Sequence, residues 1–318
     1  MKLCVILILL SLLCFATSSR AQEGAEYYSQ YESCFDAGIA DTTSYIRASA
    51  DQGEVPGPSG PAWHSMITNI PGDWYRSGRL IFRSESLPTL AGIAVATGAL
   101  FVTDYQTHNA TLNLYDESPA IHSASDVMVH VGDGKTAFGI AAAFALYGVA
   151  SGDRRAFATG SQTVEAVIAS GIVVQLLKRV AGRESPEMAS VHRGRWRPFP
   201  NWGTYNHHQP KYYAFPSGHI TTTMAVVTVL AENYPEVGWI RPVGYTLTGL
   251  VGISLVNVGW HWYSDFPLAV ALGYSFGMIA AHRNDTDGDG DGMADGKGLR
   301  VMPNISRAGT GVLLAWNF

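Results

Sequence analysis

The stretch AFPSGHITTT, Ala214–Thr223, sets two structure breakers and two chemically active side chains just ahead of an apolar run. Pro216 and Gly218 interrupt regular structure, and Ser217 is a preferred helix N-cap. The run that follows, 219–233, has helical character. The bare N–H groups at such a helix start, joined by the Ser217 hydroxyl, form an anion pocket. Gly218 lets an anion approach the backbone closely. His219 then stands beside it, placed to donate a proton. An ordinary Ser cap with an incidental His fits the same letters, so the rest of the chain has to decide.

Outward from that stretch, apolar segments rich in Ala, Gly, Val, Ile and Leu fall at about 88–103, 135–151, 157–179, 219–233, 241–260 and 264–282. Loops with Asp, Gly or Pro separate them. They predict an all-α domain over 88–282, a six-helix bundle. Residues 22–87 carry many Ser, Tyr, Gly and Pro with weak periodicity, and read as an N-terminal arm lying over the domain. The segment RNDTDGDGDGMADG, 283–296, places Asp287, Asp289, Asp291 and Asp295 around Gly292. Alternating carboxylates in a Gly-bent loop can converge on a structural calcium ion, although the Glu that closes a full EF-hand loop is absent. A solvated acidic linker, 283–298, explains the pattern equally well. Residues 299–318 read as a small C-terminal β-hairpin packed on the bundle.

The chain has 318 residues, 47% of them hydrophobic and only 15% charged, which suits one main domain with a sizeable core. A formal net charge of −5 excludes a general nucleic-acid binder. No protein partner is implied. Residues 1–21 have the pattern of a secretory signal peptide: one Lys, an apolar run, then small and polar residues. Its removal takes Cys4 and Cys14 and leaves Cys34 alone, so no internal disulfide is expected. Most apolar runs are shorter than the roughly 20 residues of a membrane span. Glu165 and Gln175 lie within one of them. If the first three segments all crossed a membrane after an exported arm, Lys178 would end on the cytoplasmic side. Helices that do not span resolve this, and the expectation is an exported protein of the periplasm or cell envelope, with membrane association open. The glycosylation patterns at Asn109, Asn284 and Asn304 matter only in a host that glycosylates exported proteins.

Two further segments carry chemistry. His261 and Asp265, in HWYSD, are four apart, and a carboxylate beside an imidazole fixes its tautomer and raises its basicity. A structural His–Asp hydrogen bond at a helix start reads the same. Lys178 to Pro186, KRVAGRESP, ends an apolar segment with a cationic cluster, suited to cradling phosphate or to complementing the helix dipole.

Taken together, these segments resemble the superfamily of type-2 phosphatidic acid phosphatases, class A acid phosphatases and vanadium haloperoxidases. Its three motifs are Lys-x6-Arg-Pro, Pro-Ser-Gly-His and Ser-Arg-x5-His-x3-Asp. The resemblance covers roughly 88–282 and implies a bundle of the acid phosphatase/haloperoxidase type. It implies His261 as the nucleophile that forms a phosphohistidine, Asp265 as its orienting partner and His219 as the general acid. Ser217 and Gly218 would hold phosphate oxygens, and Lys178 would neutralise phosphate charge. No cofactor is required for hydrolysis; vanadate would be held only in the haloperoxidase branch. The implied reaction is hydrolysis of a phosphate monoester or lipid (pyro)phosphate, the partner being a phosphorylated small molecule or lipid.

The sequence departs from the motifs twice. The first-motif arginine falls on Ser185 and the third-motif arginine on Leu255. Lys178 alone is a poor substitute for bidentate guanidinium contacts. Arg183 is the first candidate for a replacement phosphate ligand, followed by Arg193, Arg195, Arg197 and Lys211. The aromatics of loop 184–213, among them Trp196, Trp202 and Tyr205, line a substrate lid or simply pack the loop down. The adjacent His207 and His208 diverge and make no metal site. Alternatives to the phosphatase are a vanadium haloperoxidase and a degenerate relative that binds a phosphorylated ligand without turnover.

Overall fold

The computed structural model describes residues 64–283 and, as backbone, 298–306 and 309–317. The expected signal peptide, most of the N-terminal arm, Cys34 and the four aspartates of the acidic loop lie outside the described residues.

All six expected segments are helical. They lie in α2 (Leu87–Glu117), α4 (Gly134–Ser151), α5 (Arg154–Ala181), α6 (Gly218–Asn233), α7 (Ile240–Asn257) and α8 (Phe266–Ala281). Besides the short helical turns Ser65–Thr68 and Trp202–His207, two longer helices join them among the described residues: α1 (Ile70–Ile81), inside the segment expected to be an arm, and α3 (Pro119–Val131). Charged and polar residues interrupt both, which hides them from an apolar-run search. Local chemistry sets the boundaries. Asp133, Asp153 and Ser217 cap the starts of α4, α5 and α6 by accepting backbone N–H bonds. Gly152 and Gly182 end α4 and α5 in the left-handed conformation. At Gly182 the φ of +57° is compounded by crowding, because a Cβ there would meet the Arg197 carbonyl oxygen. That contact brings the 190s loop back against the end of α5. The strands Gly298–Ser306 and Gly309–Asn317 pair antiparallel in the backbone, and nothing about the site depends on them.

The centre of the bundle is α6, which packs against α5, α7 and α8. Its contact with α8 is close: a Cβ on Gly273 would meet the Thr221 carbonyl oxygen at 2.3 Å. Val129, Ile220, Met224, Val251, Leu255 and Phe266 form the main apolar cluster. Each fully buried aliphatic or aromatic side chain of this kind contributes about 1.5–3 kcal/mol. Because His219 lies in the first turn of α6 and the His261 segment is bonded to its start, the core that fixes α6 also fixes the site.

The length objection to membrane spanning fails for α2. The apolar segment expected to stop near 103 continues to Glu117, and Ser84–Glu117 is long and apolar enough to cross a membrane. Its outer face, with Leu87, Val95 and Val102, is exposed. Tyr263–Ala281 passes the same test of length and composition but is about half buried in the protein.

Candidate active site

The N-terminus of α6 is the floor of the site. Ser217 is fully buried, its Oγ accepts the Ile220 N–H, and its own N–H donates to the Asp265 carbonyl at 3.2 Å. That last bond ties the Pro-Ser-Gly-His turn directly to the His261 segment. Gly218 and His219 are only half-buried, so the helix start is accessible there. A Cβ on Gly218 would find Val174 at 3.8 Å and the Lys178 Cε at 4.0 Å. Lys178 therefore lies beside the exposed N–H groups. Its Nζ donates to the Tyr213 carbonyl and sits 4.8 Å from the centre of the Tyr213 ring. Burial lowers this ammonium to about 8.

His261 enters from the α7–α8 connection. The helix end at Asn257 is closed by Leu255, whose carbonyl accepts from both Trp260 N and His261 N. The ring Nδ1 lies 2.7 Å from the Ala214 carbonyl and 3.4 Å from Asp265 Oδ2. A carbonyl only accepts, so Nδ1 carries the proton and Nε2 is the basic nitrogen. Burial pushes the His261 imidazole below its ordinary range, against the pull of Asp265 and with the nearby Lys178 charge adding to the depression. His219 is lowered further, to about 4, first by burial and then by the neighbouring His261 and Lys178. The structure thus brings His219, His261, Asp265, Ser217, Gly218 and Lys178 together around one helix start.

Arg183 is placed elsewhere. It is 0% exposed, behind Asp265 and away from the open helix start. One terminal nitrogen donates to Asp265 Oδ1 at 2.5 Å and Ser264 Oγ at 2.6 Å. The other donates to Asp104 Oδ2 at 2.8 Å and the Arg193 carbonyl at 3.0 Å. Phe101, Trp196 and Trp262 box the guanidinium in, with ring centres at 5.1, 5.0 and 5.5 Å. This is a correction to the expectation that Arg183 substitutes for a motif arginine at the phosphate. Two further loop cations are also engaged: Arg197 pairs with buried Glu184, and an Arg193 terminal nitrogen donates to the Val102 carbonyl. The two positions that lack arginines are built differently. Leu255 is fully buried in the apolar core, and Ser185, also fully buried, donates to the Pro210 carbonyl.

Asp104 and Glu184 are the site-supporting residues that motif spacing does not reveal. Asp104 is 0% exposed midway along α2, where it accepts from Ser264 N at 3.1 Å and from Arg183. A carboxylate inside a long apolar helix requires a buried cation, and that requirement is the signal that points to it.

The helices that build this site form an all-helical bundle, and residues 160–288 match the family model described as PAP2 superfamily. That segment, which holds Lys178, the Pro-Ser-Gly-His turn and the His261 segment, carries the similarity to the superfamily. Among curated proteins, the lipid A 1-phosphatase of Rhizobium etli is 30% identical over 123 residues, covering 38% of this chain and 49% of the relative. The lipid A 1-phosphatase of Rhizobium johnstonii is 30% identical over 115 residues, covering 36% and 43%. The chain therefore spans about half the length of the curated relatives it matches. Among solved structures, a transmembrane PAP2-type phosphatidylglycerolphosphate phosphatase from Bacillus subtilis aligns over 71% of this chain and 99% of its own, with a TM-score of 0.44 and 15% identity.

Proposed function

We propose that the chain is an exported, metal-independent phosphatase of lipid-borne phosphate esters that works through a phosphohistidine on His261. The observation that carries this reading is the hydrogen bond from His261 Nδ1 to the Ala214 carbonyl, with Asp265 alongside, because it leaves Nε2 basic next to an anion-binding helix start. Phosphate oxygens would lie against the N–H groups of Gly218 and His219 and near Lys178. Nε2 attacks phosphorus, the P–O bond to the leaving group breaks, and His219 gives that oxygen its proton. Water then attacks the phosphohistidine, His219 takes a proton from it, and phosphate leaves with His261 regenerated. Positioning and charge stabilisation supply most of the rate enhancement of such transfers.

The free His219 imidazole, lowered to about 4, is neutral at pH 7. A phosphate dianion bound beside it favours the charged form and raises it, so the acid is made competent by the substrate it serves.

Two features support a lipid leaving group. The relatives named above are lipid A phosphatases, and an apolar groove of about 460 Å³ opens next to the site. It starts at Val131, Thr222 and Thr223, a turn on from His219, and ends at Tyr234 and Trp239. From Thr223 to Tyr234 the helix rises about 17 Å, close to the length of an extended acyl chain. The exposed apolar face of α2 suits contact with a membrane that presents such a substrate.

The test is phosphate release from lipid A, phosphatidic acid and p-nitrophenyl phosphate in the presence of a chelator, comparing the mature protein with His261→Ala. Release from the lipids that vanishes in the variant is expected. Release that survives the substitution overturns the nucleophile assignment. Folded protein that releases phosphate from none of the three moves the reading to a binding-only relative, and activity lost to chelator alone overturns metal independence.

A further inference from the structure

Arg183 touches two carboxylates. It bonds Asp265 on one side and Asp104 on the other, and all three side chains are 0% exposed. One cation and two carboxylates formally carry one negative charge; burial pushes the Asp104 carboxyl up, and the Arg183 guanidinium and the bond from Ser264 oppose that rise. Within this cluster Asp265 is the carboxylate that reaches His261. If Arg183 faced Asp265 alone, the pair would be neutral and His261 would have no counter-charge behind it. Asp104 changes that balance, because it gives the guanidinium a carboxylate of its own.

We propose that Asp104 is a positioning residue for the reaction: by holding Arg183 it leaves Asp265 net negative charge for the imidazole of His261. The proposal rests on the phosphohistidine reading in one respect, that His261 becomes positively charged as it is phosphorylated. The charge balance itself does not depend on turnover. The geometry is oriented as well as charged. Ser264 bonds Asp104 through both its N–H and its Oγ, and Oγ also accepts from Arg183. Trp262 N donates to Asp265 Oδ2 at 2.8 Å, the same oxygen that faces His261. Helix α2 is thereby pinned to the His261 segment through Asp104.

The other groups around His261 do not replace this charge. Lys178 from α5 and His219 from α6 are cationic or neutral, and Tyr213 presents its ring at 6.3 Å between centres. Asp133 acts on His219, and Glu187 acts on Tyr213, each one group further away from His261.

The variants that test this are Asp104→Asn and the double variant Asp104→Asn/Arg183→Met. Asparagine keeps an acceptor for Ser264 N–H and removes the charge, together with the oxygen that accepts from Arg183 and Ser264 Oγ. Arg183 is then uncompensated and cancels Asp265. At the separation of about 8–10 Å implied by these contacts, one charge moves a titration by about one pH unit. The acidic limb of kcat/KM should shift down by about one unit in Asp104→Asn, with kcat about tenfold lower. The double variant removes the cation as well and should restore the limb and much of kcat, although it is the larger perturbation. A merely structural role for Asp104 gives the opposite order, with an unmoved limb and a double variant worse than the single one; that result overturns the proposal. Should the protein turn over no phosphate ester, the His261 ring is titrated directly by nitrogen NMR in the same variants. A downward shift in the single variant and its recovery in the double then support the charge balance while the catalytic reading falls. If Asp104→Asn does not fold, the double variant still decides, since it must titrate like the parent.

Discussion

Lys178 should cost stability while it serves the reaction, and the size of that conflict follows from its surroundings. The side chain is 5% exposed, and burial brings its ammonium from 10.5 down to about 8. That displacement corresponds to about 3 kcal/mol of penalty for holding the charge at pH 7. The bond to the Tyr213 carbonyl and the ring face beside it return about 1–2 kcal/mol. Lys178→Met keeps an unbranched chain of similar length next to Val174 and removes the charge. The variant should gain about 1–2 kcal/mol, a rise of a few degrees in Tm, while phosphate release falls at least about a hundredfold. The pH dependence gives a second reading. Between about pH 8 and 10.5 the unfolded chain binds a proton at this lysine and the folded chain does not, so the parent gains stability with rising pH across that window. Lys178→Met should lack that rise. Denaturant melts at pH 7, 9 and 10.5, run on both proteins, measure it. A variant less stable than the parent by more than 1 kcal/mol, with the same pH slope, would refute the reasoning, and undiminished phosphate release would remove Lys178 from the phosphate site.

Other perturbations separate the site from the fold. Gly218→Ala should leave Tm unchanged or slightly higher, because the nearest atoms to its Cβ are at 3.8 and 4.0 Å and Ala favours a helix; KM for phosphate esters should rise as the methyl blocks the approach to the backbone. Leu255→Arg restores a motif arginine in sequence but buries its charge in the apolar core, so thermal melts should show a loss of at least about 3 kcal/mol and assays no gain in rate. For the parent, the basic limb of kcat should lie at higher pH than that of kcat/KM. The first reports His219 raised by bound phosphate and the second the free residue near 4; coincident limbs would exclude His219 as the proton donor.

Much of this was legible in the sequence, for a physical reason. The Ser217 cap is legible because capping is a local property of a helix start, independent of what surrounds it. The six apolar segments are found for a similar reason: burial imposes a composition that a short window detects. Helix α3 escapes the window because it exposes a polar face, and α1 because charged and polar residues interrupt it, Asp73 and Ser77 among them on its buried side. In α2 the apolar reading stops at Asp104, since a charged residue looks like a boundary when its partner is unknown. That partner, Arg183, lies 79 positions away in the chain.

The fate of Arg183 shows where motif counting ends. A cationic residue two positions from a missing motif arginine is a natural substitute if position along the chain sets position in space. Here α5 ends at Gly182, and the backbone of Arg183 bridges both Trp196 and Tyr213, so its side chain points into the gap between α2 and the His261 turn. The same backbone accepts Ala214 N, whose residue supplies the carbonyl for His261 Nδ1. Arg183 thus supports the imidazole twice, through its main chain at Ala214 and through its guanidinium at Asp265. Neither contact is with phosphate. With Ser185 and Leu255 built into the interior and Arg183 turned to Asp265, the phosphate site proposed above rests on Lys178 and the α6 N–H groups. Such a site gains more from each remaining donor, and that concentration is what makes the loss expected for Lys178→Met large.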